Sequence, residues 1–150
     1  MTPRPILAGF IRFIRAGMGV PESAIADDDP AIGCCFDSAL ELMPRHIGME
    51  RLPVVWANTV YNLAASLLLN YANDTPPSTY FADQRKKFGI GNYIAGITSS
   101  ASDQGTSGSV TISNALNNLT LADLMMMQDP FGRAALAVLM ELGPLWGYTP

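Results

Sequence analysis

Cys34 and Cys35 are the only thiols of the chain, and His46 is its only imidazole. A thiol beside an imidazole is the raw material of nucleophilic catalysis, and thiols with histidines can hold zinc. The spacing serves neither. Adjacent cysteines cannot reach ordinary disulfide geometry without strain, and no CxxC or second pair completes a zinc site. The expectation is two reduced, buried thiols. His46 stands in a turn over 44–48 with no second ligand at metal spacing, which predicts a structural or solvated histidine. Asp27-Asp28-Asp29 lacks the spaced oxygens of a cation cage and suits a helix start, with Asp29 as N-cap and Pro30 at the first helical position.

The remaining chemistry-bearing groups are read in the same way. Arg85-Lys86-Lys87 fits the last turn of a helix, solvated and facing the negative end of the dipole. Gly89, Gly91 and Gly96 miss the dinucleotide fingerprint because position 94 is Ile. GxSxG and the phosphate loop GxxxxGK[ST] are absent, and Met125-Met126-Met127 reads as soft packing. No catalytic, cofactor-binding or metal-ligating residue is assigned, and an enzyme is not expected.

Composition points elsewhere. Of 150 residues, 49% are apolar, enough for one domain with a real core and too many for a disordered chain. The net charge of -4 excludes wholesale attraction to DNA or an anionic membrane. Charged residues make up only 15%, against about 25% in ordinary domains. Residues 52–73, 88–102 and 104–122 carry no charge at all. Surface normally clothed in charge is therefore expected to be covered by partners, as in a self-assembling structural subunit.

The elements that position these residues follow from spacing. Helices are predicted over about 5–16, 31–43, 51–73, 78–87, 121–128 and 130–142. In the first, Arg12 and Arg15 interrupt the apolar run, which predicts an amphipathic helix packed within its own assembly and not a signal peptide. In the second, Ile32, Cys35, Phe36, Ala39, Leu42 and Met43 make a buried stripe. The third is uncharged over residues 53–73, long enough to span a bilayer. However, Asn58, Asn62, Ser66 and Asn70 recur every fourth position, joined by Thr59 and Asn73 in a stripe of about 120°. Four asparagines on one face are costly against lipid, so no membrane span is expected. The stripe predicts contact with another subunit or a neighbouring helix.

Residues 94–102 and 106–113 read as two short strands joined near Asp103-Gln104-Gly105, a hairpin that needs a sheet partner. The last eight residues, 143–150, contain Gly143 and Pro144 and are not helical. Leu145, Trp146 and Tyr148 in that tail are costly to leave in water and predict docking on the domain or a partner. The fold class is mainly α: a small single-domain helical bundle with one β-hairpin insertion and an extended C-terminal tail.

In this order the features resemble the head–tail connector (adaptor) proteins of tailed bacteriophages. A long apolar helix, VVWANTVYNLAASLLLNYAND, precedes a short polar helix, YFADQRKKFGI. A Gly/Ser/Thr hairpin follows, YIAGITSSASDQGTSGSVTI, and then NLTLADLMMMQDPFGRAALAVLMELGPLWGYTP, a helix with a short tail. The resemblance covers about two-thirds of the chain. It implies a ring, commonly twelvefold, beneath the portal in the virion neck, assembled in the host cytoplasm. Such a ring passes DNA through its channel without sequence-specific binding and meets downstream neck or tail proteins. In related adaptors a C-terminal segment often reaches the portal. Asn58, Asn62, Ser66, Asn70, Leu145, Trp146 and Tyr148 are the expected partner-binding residues, inferred from the pattern because the family supplies no motif to transfer. A stopper or terminator, or a peripheral membrane-binding module led by the first helix, are the alternatives.

Overall fold

The computed structural model describes residues 4–43, 52–91, 100–103, 106–109 and 121–142. These form a mainly helical bundle around one long helix. Helix α1 spans Leu7–Arg12 and continues as a π-helical turn, Phe13–Gly17, instead of ending at Ala16 as expected. The wider turn leaves Phe10 and Ile14 fully buried. Arg15 then closes the following loop. Its guanidinium donates to the carbonyls of Val20 (3.0 Å) and Ile25 (2.7 Å) and pairs with Asp27 at 2.6 Å. Gly19, at φ 72°, makes the left-handed step that this loop requires.

Helix α2, Pro30–Leu42, starts as the sequence dictates: the Asp29 side chain accepts from Ala31 N at 2.8 Å, and Pro30 takes the first turn. Ile32, Phe36, Ala39 and Met43 are buried, but Cys35 is half-buried and Leu42 is exposed. At 100° per residue the four buried positions share an arc of about 60°, while Cys35 and Leu42 lie about 60° and 80° from Ile32 on its edge. The expected stripe was wider than the surface available to cover it. The same geometry corrects the expectation of two buried thiols. Neighbours on a helix point about 100° apart, so when Cys35 leans toward the core, Cys34 faces solvent.

Helix α3, Pro53–Tyr71, is the axis of the bundle. It is buried nearly all round, from Trp56 and Val60 to Leu68 and Leu69, which is how a helix apolar on most faces must sit. Helix α4, Tyr80–Phe88, packs near its C-terminal end. After α5, Leu121–Met126, helix α6, Pro130–Leu142, returns along α3. Aromatic rings tie these elements together. Phe10 stacks on Phe36 (centroids 5.8 Å apart) and Tyr61 (6.2 Å), while Phe13 meets Tyr61 at 5.9 Å and the edge of Phe131 at 6.2 Å. The Tyr61 hydroxyl reaches on to Ile6 N at 3.1 Å. Gly9 is what permits this, because a β-carbon there would collide with that hydroxyl.

Strands β1, Ser100–Asp103, and β2, Thr106–Ser109, pair antiparallel with Ser100 opposite Ser109. The larger inserted hairpin expected over 94–113 is not supported beyond these eight residues. The rest of that stretch, like the tail 143–150, lies outside the described residues.

Candidate functional site

Helix α3 has two unlike ends. At its C-terminal end the polar groups converge. Asp129 is 0% exposed and, as N-cap of α6, accepts from Gly132 N at 2.7 Å through Oδ1. Its Oδ2 accepts from Ser66 Oγ at 2.7 Å and from Asn70 Nδ2 at 3.2 Å. One buried carboxylate therefore caps one helix and pins it to another. Asn70 Nδ2 also donates to Ser66 O at 2.7 Å. Close by, Arg85 Nη1 donates to the carbonyls of Leu69 (3.3 Å), Asn70 (3.2 Å) and Ala72 (2.8 Å), the orphan acceptors of a helix end. Asp74 answers in kind by accepting from Phe81 N (2.9 Å) and Ala82 N (3.0 Å) in the first turn of α4.

This arrangement revises the polar stripe. Ser66, 4% exposed, and Asn70, half-buried, donate to the chain's own Asp129 at the start of α6, a contact with a neighbouring helix. Thr59 is buried and donates to Val55 O at 2.7 Å. Asn58 and Asn73 are exposed, and Asn62 is half-buried with Nδ2 donating to Asn58 O at 2.9 Å. The parts of the stripe around Asn58 and Asn62, and Asn73 beyond the helix, remain open to a partner. Leu145, Trp146 and Tyr148 lie outside the described residues, as does His46. The sequence marks Arg85 only as a solvated cation of a last helical turn. The contacts of Asp129 and Arg85 reach 63 and 13 residues back, and no local spacing announces them.

The opposite end of α3 is apolar. Here Met43, Leu52, Val55, Trp56, Thr59, Val138 and Leu139, from α3 and the residue before it, the C-terminal half of α6 and the residue after α2, line a small groove. Leu52 is exposed, as are Leu42, Val54 (58%) and Met140 (57%), each adjacent in sequence to a lining residue. Trp56 is 5% exposed, and among the described residues its indole N–H meets no acceptor.

Reactive groups are few. Burial, with the neighbouring Cys34 adding to it, raises the Cys35 thiol to about 11, which disfavours the nucleophilic thiolate. Burial also raises the Tyr80 phenol, whose hydroxyl donates to Met18 O at 2.7 Å. Among the described residues no three Cys, His, Asp or Glu side chains gather as metal ligands. Nor is any described helix long and apolar enough to cross a membrane. Compared with known protein families, curated proteins and solved structures, the chain matches none.

Proposed function

We propose that the chain is a structural virion subunit, a head–tail adaptor that forms a ring beneath the portal and continues the DNA channel toward the tail. The observation that carries this reading is a set of large apolar side chains left exposed on a chain poor in charge. Leu42, Leu52, Val54 and Met140 stand exposed in a chain with only 15% charged residues. Single exposed leucines are ordinary, but grouped ones mark a surface that meets protein. The neutral Asn58–Asn62 side of α3 offers a second, polar contact of the kind a flank between ring subunits uses. The low charge suits a channel wall on which phosphate must slide and not stick.

A membrane-surface role for the first helix has less support. Phe10 and Ile14 are buried in the bundle, and Arg15 is committed to Asp27 and two carbonyls. Ile6 and Leu7 are its exposed large apolar side chains, a small area against what a helix lying in lipid buries.

The test mixes the purified chain with the portal encoded in the same genome, followed by gradient sedimentation and negative-stain microscopy. Co-migration as an added ring, with its symmetry counted in the images, is the expected result. A chain that stays monomeric and ignores the portal overturns the adaptor reading.

A further inference from the structure

No further inference is drawn: the strongest candidate, the exposed apolar surface of Leu52 and Val54 at the N-terminal end of α3, belongs to the region already proposed for assembly, and nothing among the described residues shows what covers it.

Discussion

The two ends of α3 solve the same problem in opposite ways. At the C-terminal end three helix termini are closed by side chains: Asp129 at the start of α6, Arg85 at the end of α3 and Asp74 at the start of α4. At the N-terminal end the groove is open, apolar side chains reach solvent, and a buried N–H has no acceptor among the described residues. One end is stabilised from within; the other has the character of a surface awaiting contact. The difference separates where substitutions should unfold the protein from where they should isolate it.

Asp129→Ala tests that division most severely. It strips the acceptor from Ser66, Asn70 and Gly132 together, and should cost about 4 kcal/mol in urea unfolding. A loss under about 1 kcal/mol would erase the contrast between the ends. Gly132→Ala comes next. Its new β-carbon would strike the backbone carbonyl oxygen of Met126, which cannot swing aside, so a loss of about 2–3 kcal/mol in the same measurement is expected. Arg85→Ala frees three carbonyls at a half-buried site where water can replace part of the contact, for about 1–2 kcal/mol. Recovery by Arg85→Lys should be incomplete, because an ammonium lacks the guanidinium's fork.

A pH axis sharpens the picture further. The Cys35 thiol is raised from 9.0 to about 11, so the folded state holds this proton more tightly than the unfolded chain does. Its stabilisation is full below pH 9 and is lost as pH climbs through 11. Tyr80 is shifted in the same direction. Melting temperature followed from pH 8 upward should stay level and then fall across that alkaline window; a rise there would contradict both shifts. The smallest stability effect belongs to the open end. Leu52→Ser, Val54→Ser and Met140→Ser should each change stability by less than about 0.5 kcal/mol, while the triple variant co-sediments poorly with the portal. Unimpaired co-sedimentation would remove this end from the proposed assembly surface.

Much of the helical framework was legible because helix ends are written in local chemistry. Asp29-Pro30 and Asp129-Pro130 begin α2 and α6 where an N-cap followed by proline should. The π-helical turn at Phe13–Gly17 was not legible, since Phe10 and Ile14 share one face in an ordinary helix as well, and their spacing does not distinguish the two. The α3 stripe was visible as a polar face, but periodicity tells only that a face is polar and not what covers it. Ser66 and Asn70 met Asp129, an intrachain partner, so a lysine at Ser66 would break the fold before it tested any interface. Asn62 is the better probe of assembly. The groove was invisible in sequence because its walls come from three separate segments.

Of the four residues Asp129-Pro130-Phe131-Gly132, three are constrained, each for a different reason, and one is merely tolerated. The first needs two oxygens, one for a cap and one for Ser66 and Asn70. The second occupies a position where a missing N–H costs nothing. The third lays its ring against Phe13, and the fourth has no room for a side chain. Evolutionary drift should therefore be slowest here. In distant kin whose remaining sequence has diverged past recognition, an acid, a tolerant position, an aromatic and a glycine in that order would be the last trace of common descent.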